Sequence, residues 1–342
     1  MIDSFQLLIL SILSFTLSSS LFKILIPQLY KLGLIDKPNE RKRHGKPIAN
    51  SGGVVIAFII FILLMPYHYI YYEESFEILI KLVLIFLAIS IISLIDDINH
   101  INPLIRLFIH LICATFTVLV FIPPQTLLTL HISKELEIAV LIVIFTGFIN
   151  IYNFLDGIDS ISAIESIHLS LCMLILCYLN PDQIQYISFV LTISSMVLGF
   201  SCSFLMFNWH PAKIFLGDVG SIGLGFLIGF CLMMIAISNL ILLASVVIAS
   251  LYYLLDGGLT IIIRLINKEK IWQPHLKHFF QKALQNGFSH NQVIGCIIFC
   301  NIQLMILSIL ALYYPIISLI LAHIVVMSTF AVFTFYKKLA WN

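Results

Sequence analysis

Eleven apolar runs, most of them close to 20 residues long, fill this 342-residue chain. They cover 4–24, 52–71, 77–95, 104–122, 136–152, 161–179, 186–207, 219–237, 239–258, 292–313 and 315–336. A helix needs about 20 apolar residues to cross the hydrocarbon core of a bilayer. The runs are continuous rather than alternating, which argues against barrel strands and leaves helices to satisfy the backbone within the lipid. The sequence therefore predicts an all-α polytopic membrane protein: one integral domain over 1–342, with about eleven transmembrane helices and a short interfacial amphipathic helix. Composition agrees, since 61% hydrophobic and 10% charged residues lie far outside the range of soluble domains. The first run lacks a small-residue cleavage site and reads as a retained span.

Charge sets the orientation. With eleven crossings, the loops 25–51, 96–103, 153–160, 208–218 and 259–291 share a side with the C-terminus. That side, with the span ends facing it, holds every lysine and arginine except Lys81 and Lys134, so the positive-inside rule places it in the cytoplasm. The seven cysteines all sit in apolar runs without a Cys-x-x-Cys pattern and read as small hydrophobes.

Carboxylates bunch on the basic side: Asp96-Asp97, Asp156 with Asp159, Asp218, and Asp256. Asp96-Asp97 ends the third span and Asn153-Phe-Leu-Asp156-Gly-Ile-Asp159 ends the fifth. A carboxylate at a helix C-terminus opposes the macrodipole by a few tenths to about 1 kcal/mol. Two helices doing so at one face point to a nearby cation, and oxygen ligands suit Mg2+ or Mn2+. In the segment Asn208–Ser221, glycines flank Asp218 where the next helix begins. That N-terminus favours a phosphate, with Ser221 as a cap or phosphate donor and Lys213 as a point charge; the plainer reading is a re-entry turn capped by Asp218. Phe215 is suited to stack on a base, but with 27 phenylalanines spacing alone does not single it out. On a helix over 275–284, His275, His278 and Lys282 share one face, and Leu276, Phe279, Phe280, Ala283 and Leu284 share the other. The loop 34–47, with Arg41, Lys42, Arg43 and Lys46, is a topogenic basic patch or a phosphate-binding one.

In this order, "GLIDKPNERKRHGKPIANSGG", "DDINHINPLIRL", "NIYNFLDGIDS" and "FNWHPAKIFLGDVGS" resemble the polyprenyl-phosphate N-acetylhexosamine-1-phosphate transferases. That membrane family includes the phospho-MurNAc-pentapeptide translocase. The resemblance spans residues 33–293 and implies a transferase of the bacterial inner membrane with a cytoplasm-facing site. It would move sugar-1-phosphate from a UDP-N-acetylhexosamine to undecaprenyl phosphate and release UMP. By motif position, Asp218 resembles the Mg2+ ligand, with Asp96 and Asp97 beside the reacting phosphates and Asp97 a second candidate for the metal or a base. Asn153, Asp156, Asp159, Asn208 and Phe215 resemble the nucleotide-sugar set, and Lys46, Arg106, Lys213, Gly217, Ser221, His275 and His278 complete the expected site. Membrane lipids are expected partners, relatives are often dimers, and no nucleic-acid partner is expected.

Three departures qualify the resemblance. Ala49-Asn50 stands where the family has Pro-Arg, Ser160 stands where it has Gly, and His275-x-x-His278-Phe-Phe-Gln281 replaces the translocase's histidine triplet. The last form resembles the O-antigen-initiating branch, whose donors include UDP-GlcNAc and 6-deoxy relatives. A transporter or flippase for an anionic substrate is the competing class. Transporters place acids near the bilayer midplane, whereas here most carboxylates sit at span ends on one face, with Glu165, one turn into its span, the exception.

Overall fold

The computed structural model describes residues 3–37, 46–122, 133–270 and 275–335; the basic residues Arg41, Lys42 and Arg43 lie outside these. In chain order the helices are α1 (Ser4–Leu32), α2 (Val54–Ile59), a π-helical turn (Ile60–Leu64), α3 (Met65–Tyr71), α4 (Glu73–Asn99), α5 (Pro103–Phe121), α6 (Lys134–Leu155) and α7 (Ile161–Leu179). They continue with α8 (Ile187–Asn208), α9 (Gly217–Ala236), α10 (Leu240–Ala249), α11 (Leu251–Ile266), α12 (Phe279–Gln285), α13 (His290–Leu310) and α14 (Pro315–Phe335). Among the described residues, ten helical stretches are long and apolar enough to span a membrane, with the π-containing stretch counted as one, or eleven if α10 and α11 form one broken span.

That break is the main departure from the sequence reading, which runs one helix over 239–258. The two halves meet at 74°, and Ser250 at the joint turns its hydroxyl back onto the Val246 carbonyl (2.8 Å). Such back-bonding competes with the regular ladder and bends helices. The π-turn before α3 has a similar local cause, because Pro66 lacks the amide that would continue the ladder.

α9 is the axis of the bundle: it packs against α4, α6, α7, α8 and α10, and almost all of it is buried. Lipid-side helices such as α1 and α14 are instead largely exposed along one flank. Small residues let helices approach closely. A Cβ added at Gly199 on α8 would lie 2.1 Å from the Ser11 carbonyl of α1, and Ser14 Oγ donates to the Met196 carbonyl across the same seam (2.6 Å). This is the small-residue, hydrogen-bonded packing expected where no water drives helix association. Glu165 is fully buried on α7 and accepts from Asn301 Nδ2 of α13 at 2.8 Å, so it ties two helices together.

Two short strands, β1 (Ile35–Asp36) and β2 (Ile48–Ala49), pair antiparallel. Ala49 also bridges to Ile214, which brings the loop after α1 against the loop before α9. The N-terminal ends of α5 and α9 and the C-terminal ends of α4 and α6 meet there.

Candidate active site

The pairing of these two loops seats the Ser51-Gly52-Gly53 turn on the start of α9. Gly52 N donates to the Phe215 carbonyl (2.9 Å) and Gly53 N to the Leu216 carbonyl (2.8 Å). The backbones then nearly touch: a Cβ on Gly53 would sit 1.9 Å from the Gly220 Cα. Gly217 has φ +71, and a Cβ there would stand 2.5 Å from an Asp97 carboxylate oxygen. Glycine is needed at that position for both reasons.

Asp97 is the acid that exploits this approach. Its carboxylate accepts from Asp218 N (2.8 Å), Val219 N (3.3 Å) and Ser51 Oγ (3.0 Å). An acid from α4 thus caps α9, where the helix dipole favours negative charge. This corrects the expectation that the start of α9 faces a phosphate, since its first amides face Asp97. It also corrects Ser221: that hydroxyl donates to the Gly217 carbonyl one turn back (3.0 Å) and is buried, so it is no cap.

Asp96, the neighbouring acid, points to a different place. Arg106 donates through one guanidinium nitrogen to both Asp96 and Asp218, and Asn153 Nδ2 lies 3.4 Å from the other Asp218 oxygen. Each member is delivered by a helix end. His100, in the left-handed region, ends α4 after the aspartates, while the Asn102 cap and Pro103 start α5 so that Arg106 falls in its first turn. Two carboxylates from separate helices around one positive group form an all-oxygen donor set, which fits a hard divalent cation. A second cluster fits a metal poorly. Asp159, His210 and His290 bring ligand atoms within 4.8 Å of one another, but the imidazoles stack at 4.1 Å and 12°, so their lone pairs do not converge.

The loop after α6 is held differently. Asp159 accepts from His210 Nδ1 (2.6 Å) and Ala212 N (3.1 Å). Asn208 Oδ1 accepts from Ser160 N (2.7 Å), and its Nδ2 donates to the Ile214 carbonyl (2.8 Å). Ser160 has φ +73, a conformation in which the family's glycine would be unstrained. Asp156 accepts from Ser162 Oγ (2.7 Å), and burial pushes its carboxyl up to about 6.

His275 and His278 do not share a helix. α12 begins only at Phe279, His278 precedes it as the cap, and Phe280, Ala283 and Leu284 are buried toward α13 and α14. The predicted surface helix over 275–284 is therefore shorter and docked on the bundle. His278 is buried and bonds through Nδ1 to Asp256 (3.0 Å). The His275 imidazole is pushed down to about 4 by burial and by His278 beside it. Lys213 and Lys46 are exposed and Phe215 is half-buried. No contact among the described residues places the two histidines or Lys213 on Asp96 or Asp218. The sequence reading gave no role to Ser51, whose one local signal was the Gly-Gly that follows it, and it grouped Asp256 with the bunched carboxylates without assigning it a part in the site.

Fold and site together define a polytopic helical membrane protein with an acidic, oxygen-rich cluster at one end of its bundle. The family model for glycosyl transferase family 4 matches residues 78–237, the stretch from α4 through α9. The chain is 26% identical over 272 residues to a probable undecaprenyl-phosphate N-acetylglucosaminyl 1-phosphate transferase of Bacillus subtilis (strain 168), covering 77% of this chain and 73% of that protein. It is 28% identical over 259 residues to the phospho-N-acetylmuramoyl-pentapeptide-transferase of Orientia tsutsugamushi (strain Ikeda), covering 64% and 69%. With that of Borrelia turicatae (strain 91E135) it shares 25% over 313 residues, covering 80% and 85%. By these matches the chain is similar to the polyprenyl-phosphate N-acetylhexosamine-1-phosphate transferases, and its long apolar helices are those of a multi-pass membrane protein.

Proposed function

We propose that the protein transfers an N-acetylhexosamine-1-phosphate from its UDP-sugar to undecaprenyl phosphate, at the cytoplasmic edge of the bacterial inner membrane. The lipid-linked product would initiate O-antigen or a related surface glycan. The observation that carries this reading is the convergence of Asp96 and Asp218 on Arg106, with Asn153 beside them, from four different helix ends. The chemistry asks for a charge-neutralising centre. An acceptor phosphate oxygen bonds to the sugar-bearing phosphorus while that phosphorus releases the bridging oxygen, and UMP leaves with the electron pair. Both reactants are anionic, so positioning and electrostatic compensation dominate.

In this reading Asp218 and Asp96 hold a Mg2+ or Mn2+ ion, which supplies positive charge to the phosphate oxygens. The second metal ligand is thus Asp96 rather than Asp97, because the Asp97 oxygens are bonded to α9 and Ser51. Arg106 turns from its two carboxylates toward phosphate, and Asn153 orients Asp218. Asp97 fixes the start of α9 and so the direction of Asp218. A phosphate monoester with a second pKa of about 6 is largely dianionic at pH 7, so the acceptor needs no general base. Asp156, Asp159, Asn208 and Phe215 belong to the nucleotide-sugar side, with the first three shaping its loops.

The test is UMP release by purified, detergent-solubilised protein given undecaprenyl phosphate, Mg2+ and a panel of UDP-N-acetylhexosamines. Turnover with at least one donor, abolished by chelator and restored by Mg2+, is expected. Folded protein that releases no UMP from any donor, or that works at full speed in chelator, sinks the reading and favours a transporter.

A further inference from the structure

α11 carries a carboxylate where helix economy does not call for one. Asp256 is fully buried. One of its oxygens accepts from Phe279 N (3.1 Å) and from His278 Nδ1 (3.0 Å), while the other is buried without a partner among the described residues. Its evident structural service is to cap α12, a helix of seven residues. Elsewhere the chain caps much longer helices locally and cheaply, with Asn102 on α5, Ser133 on α6 and Ser289 on α13. Burying an acid costs several kcal/mol unless it is paired and fully hydrogen-bonded. Here a neutral side chain would serve the Phe279 amide as well. The excess cost calls for a role directed at the other donor, the imidazole.

The place of the pair supports this. A Cβ on Gly157 would meet the Phe280 ring at 2.9 Å and Gln281 Nε2 at 3.4 Å, so α12 is seated on the turn between Asp156 and Asp159. The His278 ring stacks on Phe280 (5.6 Å, 8°) and contacts the His275 ring at 4.7 Å. Phe280 and Asp256 thus fix two sides of the imidazole. A carboxylate on Nδ1 sets which nitrogen of a histidine is offered outward. Resting on the transferase reading above, we infer that Asp256 is a positioning residue for this reaction: it holds His278 by Nδ1 and leaves Nε2 to meet a phosphate oxygen of the substrate. The groups facing His278 are Asp256 from α11 and His275 from its own segment, with Arg264, Lys277 and Glu269 acting on His275 beyond it.

A double-mutant cycle tests the inference, because a residue acting only through His278 has no effect once His278 is gone. Asp256→Asn keeps an acceptor for Phe279 N and is expected to lower kcat roughly 10- to 100-fold, with less change in KM for the UDP-sugar. In a His278→Asn background the same substitution is expected to cost less than about twofold. Losses that multiply overturn the inference. If Asp256→Asn alone does not fold, His278→Asn against Asp256→Asn/His278→Asn, two amides able to bond one another, still gives that edge of the cycle. Failure of the pair to fold would make Asp256 a structural anchor and overturn the proposal as well. A second readout needs no turnover: imidazole C2–H exchange by mass spectrometry at His278, measured against pH. Loss of the carboxylate partner is expected to change the exchange profile at His278, and an unchanged profile overturns the inference. A wild type inert with every UDP-sugar refutes the transferase reading instead, while the exchange measurement still reports on the pair.

Discussion

The polar end of the bundle holds two acidic groups that look alike in sequence and differ in what satisfies them. Around Asp218 and Asp96, the partner they share is the Arg106 side chain, with Asn153 at the edge of contact, while the second Asp96 oxygen accepts from Ile101 N (2.5 Å). Around Asp159 and Asn208, backbone groups of Ala212, Ser160 and Ile214 make the bonds, with one imidazole added. A side chain can swing away when a ligand arrives, but a backbone amide inside a packed turn cannot without unfolding it. The Asp218 oxygens and the Asp96 oxygen facing Arg106 are therefore exchangeable, and the second group is architecture. Asp97 is bonded like the second group even though it adjoins Asp96.

This contrast is open to attack, most strongly at Asp218. Asp218→Ala is expected to lower UMP release about a thousandfold or more while the melting temperature in detergent stays close to wild type. A matching collapse of melting would erase the distinction. Asp156 tests the second group through pH. Its carboxyl is raised to about 6 from an ordinary 3.8, so the fold favours its protonated form. The resulting stability is fully present below pH 3.8 and is lost as pH rises through 6. The difference is on the order of 2–3 kcal/mol. Asp156→Asn, which mimics the protonated acid, should melt higher than wild type at pH 7.5 and match it at pH 4; equal melting at both would remove Asp156 from the buried scaffold.

Smaller effects sharpen the boundary. Asn208→Ala leaves Ser160 N and the Ile214 carbonyl without a partner and should cost about 1–3 kcal/mol of stability. Activity should fall only with the folded fraction, as read by parallel melting and turnover measurements. Asp97→Asn keeps one acceptor at the start of α9 and should cost about 1 kcal/mol. The variant is expected to retain most of its rate and an unchanged pH optimum. An acid limb in the wild-type pH–rate profile that disappears in this variant would instead make Asp97 a base and move it into the exchangeable group.

The course of the chain through the membrane was written in the sequence because hydrocarbon imposes a length and a continuity that 20 apolar residues either meet or fail. The positions of the acidic motifs at helix ends were equally legible, since end positions follow from where apolar runs stop. The bend at Ser250 was not, because one serine inside an apolar run gives no sign that its hydroxyl will turn onto Val246. Nor was the short span of α12, which depends on Asp256 meeting the Phe279 amide from another helix. The sequence placed Asp96, Asp97, Asp159 and Asp218 at one face as equals. Only tertiary contact divided them, because whether a carboxylate stays available depends on which donors the fold brings within 3 Å, and those donors lie up to 121 residues away.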